Sequence, residues 1–229
     1  MRSTRINYTE ACMTNPWEEI RLTDYERHMS RKNVFQLQAI NRITAEQLFD
    51  FNIRSVMIMG ITGGNGLEHI HPSNFDRVYG VDINRNYLVA CVLRFPSLVD
   101  IFEPICADLR EERIRLPHAD LVIANLLIEY IGYDSFIDSV KQVAPRFVSC
   151  GIIDDANLDP VSDSSYSDAF DRLDEVYRQT DEFTLTMAMR EIGYSQIQRK
   201  EIDLPNRKSI VRLDYVAKDH AVSDDMKGS

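Results

Sequence analysis

The sequence predicts a doubly wound α/β fold, in which a mostly parallel sheet carries helices on both faces. Three observations support this prediction. Five apolar runs of strand-like length occupy residues 55–59, 77–81, 101–106, 121–124 and 146–153. The segments between these runs are long enough to hold helices. Two further β-rich runs near the C-terminus flank a short turn, which predicts an antiparallel hairpin at the edge of the sheet.

The first fifty residues are predicted to form a helical cap before the first strand. Apolar side chains recur there at helix-like intervals, at Val34, Leu37, Ile40, Ile43 and Leu48, and no glycine interrupts them.

The pattern changes after Ile153. Residues 154–174 are rich in Asp and Ser and contain Pro160, which favours a loop or lid that leads into a helix at about 168–177. A further helix is expected at about 181–192. It should end at Gly193, because a residue without Cβ readily adopts the left-handed conformation of a helix C-cap.

The closing hairpin is predicted from two β-rich runs, residues 194–202 and 209–216. The segment LPNRK lies between these runs, and its proline and asparagine are typical of a turn. The final segment, AVSDDMKGS, has little apolar surface to pack, so we expect it to be frayed.

Composition narrows the class of protein. A chain of 229 residues with 44% hydrophobic and 27% charged residues is typical of a globular domain. A formal net charge of −10 argues against a dedicated nucleic-acid binder, because phosphate contacts need a basic surface. The N-terminus lacks the apolar core of a signal peptide, and no apolar run could span a bilayer, so a cytoplasmic protein is expected. The four cysteines are scattered without CxxC spacing, as expected for reduced thiols.

Residues 55–88 carry the clearest functional signal. They read as an apolar run, a glycine-rich turn, a helical segment and a second apolar run that ends at Asp82. Such a βαβ unit presents bare backbone at its first turn and a carboxylate at the end of its second strand, where a pair of hydroxyls can bind. This arrangement is typical of sites for nucleoside cofactors.

Together these features resemble class I S-adenosylmethionine-dependent methyltransferases. The resemblance rests on the turn GITGGNG, on Asp82 after the second strand, on the pair Ala107-Asp108 after the third, and on the closing hairpin. It covers roughly residues 8–216. The leader segment NPWEEIRLTDYERHMSRKNVFQLQ, residues 15–38, is similar to the helical cap of bacterial small-molecule or uncharacterised members of this class.

The resemblance implies a Rossmann-like sheet of seven strands in the order 3-2-1-4-5-7-6, and S-adenosylmethionine as cofactor with S-adenosylhomocysteine as product. We expect one methyltransferase domain over residues 1–229. Its parts would be a helical cap (1–50), a cofactor-binding core (51–154), a loop or lid insertion (155–180), the last helix with the closing hairpin (181–216), and a tail (217–229).

The first turn would hold the methionine part of the cofactor. The resemblance places Gly60, Ile61, Thr62 and Gly64 against it, with the helix that follows offering free N–H groups to the carboxylate. Thr62 stands where the family commonly has glycine. Ile58 stands where the family usually has an acidic residue that reaches the cofactor's ammonium group.

Two nearby polar residues could replace the acidic residue missing at position 58. Asn65 or Glu68 could take over its contact with the ammonium group. Glu68 could equally be a solvated carboxylate in the first turn of the expected helix, favoured there by the helix dipole.

Asp82 is expected to accept hydrogen bonds from both ribose hydroxyls, and Ile83 to lie on the adenine face. The alternative is that Asp82 caps the helix that begins near Asn84.

Asp108, with Leu109 beside it, resembles the acidic residue that receives the adenine amino group. It could instead cap a helix that begins at LREER. Asn125, after the fourth strand, is expected to line the cofactor and methyl-transfer site.

A catalytic base is needed only if the acceptor arrives protonated, because the sulfonium already activates the methyl carbon. The candidates for such a base are His28, Glu129, Tyr130 and Asp154. Tyr25 and Met29, one helical turn apart, could close over the cofactor or simply pack together. His69 and His71 form an HxH pair, but no matching distant ligands stand out, so no metal site is expected.

Three function classes stay open at this point. The first is a methyltransferase acting on a small molecule, with no nucleic-acid or membrane partner, as a monomer or homodimer. The second is a NAD(P)-dependent oxidoreductase, because an acidic residue after a glycine-rich turn also suits a dinucleotide. The third is a non-catalytic module that binds S-adenosylmethionine. The sequence does not identify the methyl acceptor or the acceptor atom.

Overall fold

The computed structural model describes residues 15–154 and 172–218, and seven strands lie within these ranges. The strands are β1 (Ser55–Met59), β2 (Arg77–Asp82), β3 (Phe102–Cys106), β4 (Leu121–Asn125), β5 (Phe147–Asp154), β6 (Tyr194–Asp203) and β7 (Ser209–Ala217). The helices are α1 (Pro16–Glu19), α2 (Leu22–Met29), α3 (Gln36–Phe49), α4 (Arg85–Arg94), α5 (Ile128–Val143) and α6 (Glu182–Glu191).

The strands form one sheet in the order β3-β2-β1-β4-β5-β7-β6, so the predicted fold class and strand order are confirmed. Strands β1 to β5 run parallel, and β7 pairs antiparallel with both β5 and β6. The carboxyl ends of the parallel strands therefore meet at one edge of the sheet. The chain reverses its direction of winding between β1 and β4, which is where open α/β sheets bind ligands.

The central strands of the sheet, β1, β4 and β5, and the neighbouring β7 are buried on both faces. One face packs against α3 and α4 through residues such as Leu48, Leu88 and Cys91. The other face packs against α5 and α6 through Phe136 and Met189, among others. Burial on both sides explains why the strands appear in the sequence as continuous apolar runs.

Two predicted helices are absent, and both absences lie within the described residues. Between β1 and β2, residues 60–76 contain a single 3-10 turn, Leu67–His69, instead of the predicted helix. The backbone there is left-handed at Gly60, Thr62, Gly64 and Gly66, which is incompatible with a continuous α-helix.

Between β3 and β4, residues 107–120 are all described and contain no helix, so the predicted helix start at LREER is also wrong. Leu109 and Leu116 of this irregular segment are nevertheless buried in the core. The segment thus contributes to the core without forming a helix.

The predicted helix at 168–177 is corrected where the structure describes it. Residues 168–171 lie outside the described residues, and the described remainder forms a short 3-10 helix, Arg172–Glu175. Residues 155–171, most of the expected lid insertion, lie outside the described residues as well. Within the described part of the chain, none of the helices has the length and apolar content needed to cross a membrane.

A buried arginine attaches α3 to the sheet. The Arg212 side chain on β7 is fully buried, and its Nη2 lies 2.7 Å from Oδ2 of Asp214 and 2.8 Å from Oδ2 of Asp50, just after α3. Ser149 on β5 donates a hydrogen bond to the same Asp214. Removal of one partner would leave a buried charge uncompensated, so this cluster fixes the position of α3 over the sheet.

The close packing of α3 on the glycine-rich turn gives a test of the fold. A Cβ at Gly66 would lie 2.5 Å from Cγ2 of Thr44 on α3, and Gly66 has φ of +105°. Gly66→Ala should therefore combine backbone strain with overpacking and lower the free energy of unfolding by about 3 kcal/mol. Urea denaturation measures this change.

Gly193→Ala is the matched control, because Gly193 has φ of +90° and a Cβ added there would have no described neighbour within 4 Å. It should cost about 1 kcal/mol from backbone strain alone. Equal losses in the two variants would show that the contact between α3 and the turn is not tight.

Candidate functional site

A cavity opens at the carboxyl ends of the strands, where the winding direction reverses. About 80 Å³ of it is open to the centre of a water-sized sphere, and the space between its atoms, counted out into open solvent, is about 700 Å³. Its described wall comes from the leader segment, the turn after β1, the ends of β2 and β4, the chain after β3, and the first turn of α5. The wall residues are Asn15, Trp17, Tyr25, Gly60, Thr62, Val81, Asp82, Ile83, Ala107, Asp108, Leu109, Asn125, Leu126, Leu127, Tyr130, Ile131 and Val176.

The Asp82 carboxylate lies in the cavity wall and is held by two backbone amides. Thr62 N–H donates to Oδ2 and Asn84 N–H donates to Oδ1, each at 2.8 Å. A carboxylate has about four lone-pair sites, so one acceptor position stays available on each oxygen. The predicted alternative, that Asp82 caps α4, does not hold, because Asn84 is the N-cap and accepts from Asn86 N–H.

Burial shapes the ionisation of Asp82. Its side chain is 8% exposed, and this desolvation raises the pKa of its carboxyl to about 6, although the amides of Asn84 and Thr62 oppose the shift. The carboxyl is therefore mostly ionised at neutral pH, as an acceptor for two hydroxyls must be.

The turn after β1 bends sharply at Thr62. This β-branched residue has φ of +51°, a conformation that glycine adopts more easily. Three hydrogen bonds fix the turn against β2. Thr62 N–H donates to the Asp82 carboxylate, and Gly60 N–H and Ile61 N–H donate to the carbonyl of Val81 at 2.8 and 3.1 Å. The strained backbone persists because these contacts define it, and the same contacts orient the carboxylate.

The chain after β3 forms a second part of the wall. Ile83, Leu109 and Val81 supply apolar surface, whereas Asp108 is engaged by Arg110. Both oxygens of Asp108 accept hydrogen bonds from the Arg110 side chain, and this contact holds the pKa of the carboxyl below its usual range against the effect of burial. The bonds to Arg110 compete with the predicted acceptance of an adenine amino group by Asp108.

Asn125 lines the cavity at the end of β4, as predicted, but its amide faces α3. Its Nδ2 donates to Gln47 Oε1 at 2.8 Å, and its Oδ1 accepts from Gln47 Nε2 at 3.0 Å. Gln47 is fully buried, so this reciprocal pair is protected from water. It fixes the end of β4 and the two residues that follow, Leu126 and Leu127, which face the cavity.

Three aromatic side chains cluster in the cavity wall. The Trp17 ring meets Tyr130 edge to face at 4.9 Å between centroids and Tyr25 at 5.9 Å. Tyr25, which the sequence predicts to close over the cofactor, does line the cavity. Burial and the negative charge of Asp82 raise the pKa of Tyr25 to about 12.

Sequence reasoning missed Trp17 and Asn15. The signal available was the short helix that begins N-P-W-E, where Asn15 and Glu18 form a capping box and place the tryptophan.

Three residues predicted to contact the cofactor lie outside the cavity wall. Ile61 is buried in the core, and Gly64 packs closely against Phe95, Leu67 and Cys91. Asn65 turns away from the cavity, and its Nδ2 donates to the carbonyl of Leu37 at 2.8 Å while its Oδ1 accepts from Asn41.

Glu68, the other residue that could replace the missing acidic group, likewise makes structural contacts and does not line the cavity. Its carboxylate accepts from Asn41 Nδ2 and from Gly66 N–H. Together with Asn65 it ties the turn to α3.

Three of the four candidates for a catalytic base fall in different places, and the side chain of Asp154 lies outside the described part of the structure. Tyr130 lines the cavity, but burial raises the pKa of its hydroxyl, so the phenol is neutral at physiological pH and is a poor base. His28 and Glu129 do not line it. Burial, followed by the charge of Arg31, lowers the pKa of His28.

Glu129 is 1% exposed and faces the end of β5. Its Oε1 accepts a hydrogen bond from Ile153 N–H at 2.9 Å. The pairing of β5 with β4 ends at Gly151, so Glu129 supplies the acceptor that β4 no longer provides for Ile153. Its Oε2 is buried and has no hydrogen-bond partner among the described residues. Desolvation raises the pKa of this carboxyl to about 7.

No metal site is found in residues 15–154 and 172–218, where no group of three or more His, Cys, Asp or Glu side chains could hold an ion. His69 of the HxH pair instead lies 3.1 Å from Asn41 Oδ1, measured from its Nε2.

Solved structures with a similar fold are methyltransferases in several cases. Magnesium protoporphyrin IX methyltransferase (ChlM) from Synechocystis PCC 6803 with bound SAM has a TM-score of 0.66 and 14% identity, over 91% of this chain and all of that one. N-methyltransferase NodS from Bradyrhizobium japonicum WM9 in complex with S-adenosyl-l-homocysteine has a TM-score of 0.59 and 13% identity, over 89% and 99%. The chain therefore has the class I methyltransferase fold.

The same fold also carries another activity. The [4+2]-cyclase SpnF has a TM-score of 0.59 and 10% identity, over 79% of this chain and 82% of that one. A comparison with protein-family models finds no match, and a search of curated proteins finds none either. At these identities the likeness establishes the fold, and function must be argued from the site.

The buried carboxyl of Glu129 gives a pH-dependent prediction. Its pKa of about 7 in the folded protein exceeds the ordinary 4.5, so the folded state binds the proton more tightly and the stability from this group is lost as pH rises through 7. Glu129→Gln keeps the acceptor for Ile153 N–H without the charge. Its unfolding free energy relative to the natural chain should rise by roughly 2–3 kcal/mol between pH 5 and pH 8.

Chemical denaturation at a series of pH values measures this difference. Asp134→Asn, which changes an exposed carboxyl of the same helix, controls for the general effect of removing a charge. A pH-independent difference for Glu129→Gln would contradict the raised pKa.

Proposed function

We propose that this protein, which has the class I methyltransferase fold, binds S-adenosylmethionine in the cavity and transfers its methyl group to a small-molecule acceptor. The single observation that carries the proposal is the Asp82 carboxylate at the end of β2, fixed by two backbone amides with an acceptor position left on each oxygen. A ribose presents two neighbouring hydroxyls that match these positions.

The residues around Asp82 suit the rest of the cofactor. Ile83, Val81 and Leu109 would enclose the adenine between apolar side chains, and the turn at Gly60 and Thr62 would lie along the methionine part. Bound S-adenosylmethionine supplies a methyl group already activated by its sulfonium. The protein's part would then be to hold the reactants in line and to exclude water, and the Trp17 and Tyr130 rings in the cavity wall would contribute to the latter.

The structure weakens the case for a NAD(P)-dependent oxidoreductase. A dinucleotide pyrophosphate commonly binds at the N-terminus of the helix that follows β1. Residues 60–76 are all described and contain no α-helix. The cavity therefore lacks the helix N-terminus on which that alternative depends, and the carboxylate of S-adenosylmethionine would likewise bind without the helix N–H groups expected from the sequence.

The acceptor is proposed to be small and to have a planar apolar body. Trp17, Tyr25 and Tyr130 line one wall, and Ile131 and Val176 extend it. No Lys, Arg or His occurs among the described wall residues, which disfavours an anionic acceptor. The net charge of −10 argues in the same direction against a nucleic acid.

The first test is calorimetric titration with S-adenosylmethionine, S-adenosylhomocysteine and NAD. We expect the first two to bind and NAD not to. Asp82→Asn should weaken binding at least roughly 30-fold, because it removes the charged acceptor of two hydrogen bonds. Affinity for the natural chain should also fall below pH 6, where the carboxyl with a pKa of about 6 becomes protonated and one oxygen ceases to accept.

Asp203→Asn is the control, since Asp203 is exposed on the edge strand β6. Binding of NAD alone, or unchanged affinity in Asp82→Asn, would refute the assignment of the cavity.

The second test concerns the acceptor wall. Release of S-adenosylhomocysteine should be measured with a panel of small aromatic amines, phenols and thiols, and with RNA for comparison. For an accepted substrate, Tyr130→Ala should raise KM about tenfold through loss of ring contact, whereas Tyr130→Phe should keep KM close to that of the natural chain. Turnover with RNA but with none of the small molecules would reject the proposed acceptor class.

Cofactor binding without turnover on any acceptor would instead favour the non-catalytic module.

A further inference from the structure

Asn84 links three parts of the molecule through a single buried side chain. It lies between β2 and α4, is 3% exposed, and donates its backbone N–H to Asp82 Oδ1 at 2.8 Å. Its side-chain Oδ1 accepts from Asn86 N–H at 3.0 Å and so caps α4. These two bonds leave its Nδ2 group free to bind elsewhere.

The Nδ2 group binds the leader segment. It lies 2.9 Å from the carbonyl oxygen of Trp17 and 3.3 Å from that of Ile20, within the connection between α1 and α2. The hydroxyl of Tyr87, in the first turn of α4, donates to the same Ile20 carbonyl at 2.9 Å. Backbone carbonyls of the leader are thus bound by two buried side chains at the start of α4.

The leader contributes Asn15, Trp17 and Tyr25 to the cavity wall, and we call this part of the wall the roof. Asn15 and Trp17 line it from above, and Arg172 pairs with Glu19 of α1 at 2.8 Å. On the side of the turn, Arg94 of α4 pairs with Glu26 of α2. Asp82, which is 8% exposed, lines the same cavity as Asn15 and Trp17, so a ligand bound at its carboxylate would face the leader.

We propose that Asn84 is a positioning residue that couples the occupied state of Asp82 to closure of the leader over the cavity. The coupling follows from two hydrogen bonds of Asn84. Its backbone N–H orients the Asp82 carboxylate, and its side-chain Nδ2 holds the leader at the Trp17 carbonyl. This inference rests on the proposed cofactor site. It assigns control of ligand entry and release to a residue outside the cavity wall.

Asn84→Ser separates the two roles of the side chain. Serine is as good an N-cap as asparagine and its backbone N–H still binds Asp82, but its hydroxyl is too short to reach the Trp17 carbonyl. Tyr87→Phe removes the second bond to the leader and touches neither the cap nor Asp82. Asn86→Ala is the control, because the Asn86 side chain is exposed and only its backbone N–H is used.

Trp17 provides the readout, because it is the only tryptophan in the chain and lies in the leader. Without ligand, acrylamide should quench Trp17 fluorescence more strongly in Asn84→Ser and Tyr87→Phe than in the natural chain or in Asn86→Ala. With S-adenosylhomocysteine, the dissociation rate should rise about fivefold to tenfold in both variants, as expected for the loss of a buried hydrogen bond.

The two readouts separate failure of this inference from failure of the proposed function. If S-adenosylhomocysteine does not bind the natural chain, the proposed function fails, and the ligand-free quenching still tests the contact between Asn84 and the leader. If the ligand binds but neither quenching nor dissociation rate changes in Asn84→Ser and Tyr87→Phe, the coupling is overturned. Lower thermal stability with an unchanged dissociation rate would show a purely structural role and would overturn it as well.

Discussion

The site depends on one interaction, the pair of backbone N–H bonds that hold the Asp82 carboxylate. One amide comes from Thr62 in the turn after β1 and the other from Asn84 at the start of α4. A carboxylate without these donors would face the full cost of burial beneath the roof, because an ion without hydrogen bonds is strongly disfavoured in an apolar setting. The bonds orient it and keep its pKa near 6, low enough for it to carry charge at neutral pH.

The surrounding fold maintains that geometry with fewer helices than the sequence suggests. The turn after β1 needs left-handed backbone at four positions, so it cannot become a helix, and α3 supplies the cover that a helix would have given. Two sets of polar contacts hold α3 in that place. Asn41 of α3 hydrogen-bonds to Asn65 and Glu68 of the turn, and Arg212 of β7 pairs with Asp50 at the end of α3. Both connect residues far apart in the sequence, so they depend on the completed fold.

The sequence is sufficient to predict the strands and the position of Asp82, and insufficient for the contacts around them. Buried strands leave continuous apolar runs, and an Asp at the end of such a run has few alternative uses, so both can be predicted locally.

The segments 60–76 and 107–120 resemble helices because their length and charged residues suit a helix. The structure uses them otherwise, because the positive φ angles of the glycine-rich turn and the core positions of Leu109 and Leu116 decide their path. The contact of Asn65 with the carbonyl of Leu37 escapes prediction as well, because these residues are far apart in the sequence, whereas Arg110, which binds Asp108, lies only two residues away. Asn84 illustrates the point most clearly: in the sequence it resembles an ordinary helix cap, and only its contacts with the leader distinguish it from one.

These contacts bear on how much the fold says about activity. Similar structures include methyltransferases and a [4+2]-cyclase, so the strand order alone does not separate methyl transfer from other reactions in the same cavity. What differs between such proteins must lie in the roof and the wall, where this chain places Trp17, Tyr25 and Tyr130. Under the proposed function, an aromatic roof tied to Asp82 through Asn84 would exclude water from the reacting atoms only when it is closed. Any chemistry in this cavity therefore depends on the leader as much as on the strand tips, and the acceptor should be sought among molecules that fit beneath a closed aromatic roof.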